Sequence, residues 1–298
     1  MLKQRIITAL ILLPIALGGF FLLDGAWFAL FIGAVVTLGG WEWARLAGLA
    51  AQPQRVAYAA VVAALLYGAW LLPALAPWLL GAAVLWWLAA TLLVLSYPHS
   101  SRYWGGLPGK LLIGLLILLP AWQGLVQLKQ WPQANALIIA VMVLVWGADI
   151  GAYFAGKTFG KRKLAPRVSP GKSWEGFYGG LVASLLITLV VGLQQGWQVN
   201  GLLLALGGAA LVVAVSVIGD LTESMFKRQS GIKDSSNLLP GHGGVLDRID
   251  SLTAAVPLLR YCSGWRGGAR SDSAAADHRA GSHRLHRAQH PRCHCSSP

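Results

Sequence analysis

The sequence predicts an all-α fold, a polytopic transmembrane helical bundle with no substantial soluble domain, on three observations. Of 298 residues, 56% are hydrophobic and only 12% are charged, about half the charge of an ordinary soluble domain. Apolar runs of about 20 residues, the length a helix needs to cross hydrocarbon, recur through most of the chain. The 14 Trp suit a protein with two water–lipid interfaces, where indole rings settle at headgroup level. The net charge of +13 reads as topology and attraction to anionic headgroups. Nucleic acid is not an expected partner, because no basic soluble domain is there to bind it. Cys262, Cys293 and Cys295 give neither a disulfide framework nor a zinc spacing.

Taken in order, Lys3 and Arg5 precede a first apolar run from Ile6 to about Leu23, too long for a signal-peptide core and without a clear cleavage site. Further spans are expected at about Ala26–Trp43, Val56–Leu72, Trp78–Leu95, Leu111–Leu128, Ala136–Ala155, Tyr178–Leu193 and Gly201–Gly219. That makes about eight full spans, followed by a truncated ninth, Ser251–Leu259. Lys and Arg crowd the N-terminus and the segments 45–55, 96–110, 156–177 and 220–250, and are sparse near Asp24, Pro73–Pro77, Lys129 and Gln194–Asn200. The positive-inside rule therefore places the N-terminus and every charged cluster of interest in the cytoplasm.

Four stretches carry candidate chemistry. Gly151-Ala-Tyr-Phe-Ala-Gly156-Lys157-Thr158 fits the P-loop pattern, but it closes a membrane span where a P-loop needs a strand before it and a helix after it. Gly147 and Gly151 read better as small residues for close helix packing. Asp149 sits inside an apolar span, where a carboxylate costs about 2.5–3.5 kcal/mol and so should face a partner or a polar cavity. In the loop 156–177, Lys157, Lys161, Lys172 and Ser173 stand among glycines and prolines, as a phosphate-binding loop or a lipid-surface patch would require. Asp220, Glu223, Ser224 and Lys227 fall on one face of a helix continuing from the eighth span. Beyond them come Lys233, His242, Gly243 and Gly244, then Asp247 and Asp250 at the start of another apolar run. Two helix ends offering carboxylates, joined by such a loop, make a cage for a hard cation and a polyphosphate, and Mg²⁺ prefers one or two carboxylates plus phosphate oxygens.

The run Ser224-x-x-Lys227-Arg228, Lys233-Asp234 and Pro240-x-His242-Gly243-Gly244-x-x-Asp247-Arg248-x-Asp250 resembles the signature of the phosphatidate cytidylyltransferases, or CDP-diacylglycerol synthases. Asp149-x-Gly151-Ala152-Tyr153-Phe154 and Ser169-Pro170-Gly171-Lys172-Ser173-Trp174-Glu175-Gly176 are similar to a second block of that family. The resemblance implies transfer of CMP from CTP to phosphatidate, Mg²⁺ dependence with a second, monovalent cation left open, a bacterial inner-membrane location and a homodimer. It assigns Asp220 and Asp247 to metal, supported by Asp250, Asp149 and Glu223. Lys227, Arg228, Lys233 and Arg248 would neutralise the triphosphate, with Ser224 and Asp234 beside the substrate. His242, Gly243 and Gly244 would let backbone approach the nucleotide. A CTP-dependent lipid kinase and an ion-coupled transporter are the alternatives.

The resemblance covers residues 1–258, a membrane-embedded domain whose active site is expected in 136–258. Residues 259–298 are expected to be an aberrant polar, disordered tail. From Arg260 onward the chain holds seven Arg, five of the seven His and all three Cys, with no Ile, Val, Phe or Met. Such a break resembles out-of-frame translation beginning near Pro257–Arg260; a basic lipid-binding tail is the alternative. Resequencing the 3′ end tests the frameshift, and an unbroken frame with no apolar reading in either shifted frame would refute it. A nine-residue stub cannot span about 30 Å of hydrocarbon, so the helix bearing Asp247 and Asp250 is expected to be poorly anchored.

Overall fold

Long apolar runs in hydrocarbon can satisfy their backbone N–H and C=O groups only internally, and each of these runs becomes a helix. The computed structural model describes residues 2–261; the expectations placed on 262–298 lie outside the described residues. Helices α1 (Leu2–Phe21), α2 (Gly25–Ala47), α3 (Gln52–Leu71), α4 (Ala76–Leu95), α6 (Leu107–Lys129), α7 (Ala134–Phe159), α8 (Trp174–Gln194) and α9 (Val199–Gln229) correspond to the eight expected spans. A one-turn helix, α5 (Ser101–Trp104), precedes α6. Among the described residues, seven helices are long and apolar enough to cross a membrane, and α1 contributes the shorter apolar stretch Ile6–Phe21. The chain is a multi-pass membrane protein.

Three features depart from a plain bundle. Within the basic loop, β1 (Lys163–Ala165) pairs antiparallel with β2 (Ser169–Ser173), and Ser173 lies opposite Lys163. Helix α9 runs on past Gly219 to Gln229, so the charged face expected beyond the eighth span is a rigid extension of it. The expected stub is part of a longer helix, α10, which spans 246–261. Its anchoring comes from packing rather than from length. Thr253, Ala254, Ala255 and Val256 are buried, and a Cβ on Gly219 of α9 would come within 2.7 Å of the Asp250 carbonyl. The expectation of a poorly held helix is thus corrected for 246–261.

The core lies between α2, α6 and α9 near the basic end. Phe226 packs its ring against Trp43 and Trp104 at centroid distances of 4.8 and 4.5 Å. The Trp43 indole donates to the Lys110 carbonyl at 2.8 Å, which satisfies its one polar group. Helices α7 and α8 approach more closely than side chains would allow. A Cβ on Gly180 would lie 2.6 Å from the Ala148 carbonyl, and one on Gly151 would lie 2.7 Å from the Gly179 carbonyl. Gly151 is therefore a packing residue in mid-helix, and the P-loop pattern is coincidental. At the opposite end, the Lys129 ammonium donates to the Phe20 carbonyl and to Asn135 Oδ1, both at 2.7 Å, and sits 3.3 Å from Asp24.

Candidate active site

Helix α9 supplies one wall of the site, because residues three and four apart on a helix share a face. On that face Asp220 accepts from Lys172 Nζ of β2 at 2.5 Å and from Ser224 Oγ at 3.2 Å. One turn on, Lys227 Nζ donates to Asp247 Oδ1 at 2.9 Å and lies 3.4 Å from Glu223 Oε1. Glu223 is buried, and neither of its carboxylate oxygens accepts a hydrogen bond. Asp250 stands one turn beyond Asp247 on α10 and within electrostatic reach of Asp220 and Lys227. Asp149 of α7 lines a cavity of about 220 Å³ with Lys172, Ser173 and Tyr153, between α7, α8, β2 and α9.

The loop between α9 and α10 wraps around Asp247. Oδ2 accepts from Ser235 N at 3.0 Å, Ser235 Oγ at 3.0 Å and Gly244 N at 2.8 Å. Gly243 adopts φ +80°, and a Cβ there would sit 2.6 Å from Asp247 Oδ2, so both backbone conformation and space demand glycine. Burial works to raise the Asp247 pKa, but the Lys227 ammonium and the Gly244 N–H outweigh it and hold the carboxyl at about 2. Asp250 goes the other way: burial, then the negative charge of Asp220, push it up to about 6.

These opposite shifts act in separate pH windows. The depressed Asp247 contributes stability that is complete above its unfolded value of 3.8 and lost as pH falls through about 2, worth about 2 kcal/mol. The raised Asp250 gains stability by protonation as pH falls from about 6 toward 3.8. Thermal unfolding of detergent-solubilised protein is therefore expected to show stability rising slightly below pH ~6 and falling below pH ~4. The acid loss should shrink in Asp247→Asn and the rise should shrink in Asp250→Asn.

Lys233, Asp234, His242, Gly243 and Arg248 line a polar cavity of about 560 Å³ with Asn237 and Pro240. Gly243 borders this cavity and also closes on Asp247, which joins the two regions. Arg228 donates from Nε to the Val168 carbonyl at 3.2 Å and so fixes the hairpin turn to α9. Ser173 serves as N-cap of α8, its Oγ accepting from Gly176 N at 3.1 Å. Lys157 and Lys161 are not drawn into this constellation. Both are exposed; the Lys157 ammonium lies 5.7 Å from the centre of the Tyr153 ring, and the Lys161 backbone N–H bonds Glu175 at 3.1 Å.

The donor set fits a hard divalent cation that also takes phosphate oxygens. Asp220 and Asp247, the two carboxylates assigned to metal, each carry a lysine ammonium at bonding distance, so both positions are built to hold positive charge. Glu223 offers two buried oxygens without hydrogen bonds. Among the described residues, no three His, Cys, Asp or Glu side chains form a ready-made metal cluster; Mg²⁺ commonly takes one or two carboxylates and completes its shell with phosphate oxygens and water.

One participant escapes the sequence reading. Glu42 of α2 is fully buried and accepts hydrogen bonds from Ser235, Ser236, Val245 and Leu246 of the same loop. The signal that could have found it is its place as an acid closing an apolar span, because such a carboxylate needs partners.

A sequence model described as the cytidylyltransferase family matches residues 3–264. The chain is 75% identical over 268 residues to the phosphatidate cytidylyltransferase of Pseudomonas aeruginosa, covering 89% of this chain and 99% of that protein. It is 43% identical over 286 residues to the phosphatidate cytidylyltransferase of Haemophilus influenzae, with 88% and 98% covered. A match to the enzyme of the same name from Brucella suis is 49% identical over 132 residues, 43% of this chain and 47% of that one.

Proposed function

The chain belongs to the cytidylyltransferase family, and from that premise we propose that it transfers CMP from CTP to phosphatidate, giving CDP-diacylglycerol and pyrophosphate. The observation that carries the reading is the junction at Gly243 and Asp247 of a polar cavity with a line of lysine-paired carboxylates. Neither a lipid kinase nor a transporter is named among these relatives.

The phosphatidate phosphate is already an anion, so its attack on the α-phosphorus needs alignment and charge neutralisation more than a strong base. A phosphatidate oxygen bonds to the α-phosphorus, the bond from that phosphorus to the bridging oxygen breaks, and pyrophosphate leaves. Lys233 and Arg248 would receive the triphosphate in the polar cavity, with Asp234 and His242 beside the nucleotide. Lys172 and Lys227 would neutralise charge where the two phosphate groups meet. The lipid phosphate would enter the cavity lined by Asp149, Lys172 and Tyr153; Tyr153, Phe154 and Tyr178 are exposed aromatics on the same two helices, α7 and α8, and would meet the lipid. Mg²⁺ held by Asp220 and Asp247, with Asp250, Asp149 and Glu223 near, would neutralise charge on the reacting phosphates. The basic end would face the cytoplasm of a bacterial inner membrane, where CTP is made, and the active form would be a homodimer.

Purified full-length protein given CTP, labelled phosphatidate and Mg²⁺ is expected to form CDP-diacylglycerol and pyrophosphate in equal amounts. Excess EDTA should abolish turnover and added Mg²⁺ restore it. Release of CDP with a newly phosphorylated lipid would overturn the assignment, and full activity in EDTA would overturn the metal.

A further inference from the structure

We propose that Glu42 is a positioning residue for nucleotide binding: from the amino-terminal half of the chain it sets the loop that carries Gly243, Gly244 and Asp247. This rests on the CTP-binding reading above. Glu42 is 0% exposed, in a helix that is otherwise almost wholly apolar. A carboxylate so placed must be met by donors on both oxygens. Oε1 accepts from Ser236 Oγ at 2.6 Å and Val245 N at 2.9 Å. Oε2 accepts from Leu246 N at 2.6 Å and Ser235 Oγ at 3.2 Å. All four donors belong to the α9–α10 loop and the first residue of α10, and no lysine or arginine is among them. Backbone N–H groups at the amino end of α10 supply two of the donors, where they point out of the helix, and the Arg55 guanidinium lies within electrostatic reach of Glu42.

Two further contacts tie this network to the site. The Ser235 hydroxyl lies 3.2 Å from Glu42 and 3.0 Å from Asp247; having one hydrogen, it can donate to only one carboxylate at a time. A Cβ on Gly244 would come 2.0 Å from Ser235 Oγ and 2.5 Å from Glu42 Oε1. Ser235 and Glu42 together leave no room for a Cβ on Gly244. The same loop also supplies Lys233, His242 and Gly243 to the lining of the polar cavity, with Arg248 from the first turn of α10. Glu42 touches no part of that cavity and stands behind its wall.

The test uses purified full-length protein and Glu42→Gln, which keeps shape but turns an amide NH₂ toward two of the four donors. The CTP KM is expected to rise about tenfold or more while the phosphatidate KM moves less than about twofold. Amide exchange in the segment containing Val245 and Leu246 should accelerate by about 10- to 100-fold. Glu42→Asp, which keeps the charge one methylene short, should recover part of both. Asp24→Asn, which disturbs the Lys129 network at the opposite end, should do neither. An unchanged CTP KM, or equal rises in both KM values, would overturn the inference. Should Glu42→Gln fail to fold, Ser236→Ala removes one donor and keeps the charge; a few-fold rise in CTP KM is expected, and no rise refutes the role. The exchange measurement needs no turnover, so unaltered exchange refutes the positioning role even if the wild type proves inactive with CTP and phosphatidate, a failure that would count against the function instead.

Discussion

Asp247→Asn is expected to reduce CDP-diacylglycerol formation by at least about 10²–10³-fold, the scale of losing one preorganised charged group from a reaction centre. Asp247 holds Lys227 at 2.9 Å and accepts from Ser235 and Gly244 of the nucleotide-facing loop, so one oxygen pair fixes both a cation and a backbone. Asparagine presents an NH₂ where the carboxylate meets donors. It also leaves the Lys227 ammonium, only 15% exposed, with Glu223 at 3.4 Å as its ion-pair partner and Asp250 within electrostatic reach. Breaking a buried ion pair costs about 3–5 kcal/mol, and the partial exposure of Lys227 places the expected loss toward the lower figure. Labelled-product assays and thermal unfolding in detergent measure the two effects separately. Turnover within tenfold of wild type would remove Asp247 from the site.

Gly151→Val is expected to have the next largest effect, through packing rather than chemistry. Its Cβ would meet the Ala183 Cβ and the Gly179 carbonyl, each at 2.7 Å, and a backbone carbonyl cannot yield without moving α8. Overpacking of this kind costs about 1–3 kcal/mol or more, and valine's branch adds two further carbons. Because α7 carries Asp149 while Lys172 and Ser173 lead into α8, parting the helices also opens the cavity lined by Asp149 and Lys172, and turnover should fall with the unfolding midpoint. Gly207→Ala on α9, where a Cβ meets nothing within 4 Å, serves as the control. It should be neutral or stabilise by up to about 1 kcal/mol. Equal behaviour of the two variants would refute the packing account.

Much of this site was legible as spacing. Asp220, Ser224 and Lys227 share a helical face in the sequence and in α9, because helical periodicity is a local property. The sorting of basic loops to one end was equally local, and the hydrogen bond from Thr8 of α1 to the Pro240 carbonyl at 2.9 Å places Thr8 beside the signature loop. Other parts were not legible. Lys157 and Lys161 look like Lys172 in the sequence, yet the β1–β2 hairpin carries only Lys172 to Asp220 and leaves the other two exposed. Placement along the chain decides this: Lys157 stays on the last turn of α7 and Lys161 precedes β1, while Lys172 lies on β2, and three lysines in a glycine-rich stretch do not encode which of them points inward.

By itself, then, the sequence determined the membrane-spanning helices, the end at which the charge gathers and the carboxylates and lysines available there. Hydropathy and periodicity are sums over neighbouring residues, which a chain read in order displays. The tertiary structure alone decided that Glu42 of the second helix supports a loop 193 residues away at Ser235, and that α10 is held by burial against α9. Both depend on donors and surfaces from distant segments meeting in low dielectric, where an unmet carboxylate or an uncovered helix face is too costly to persist.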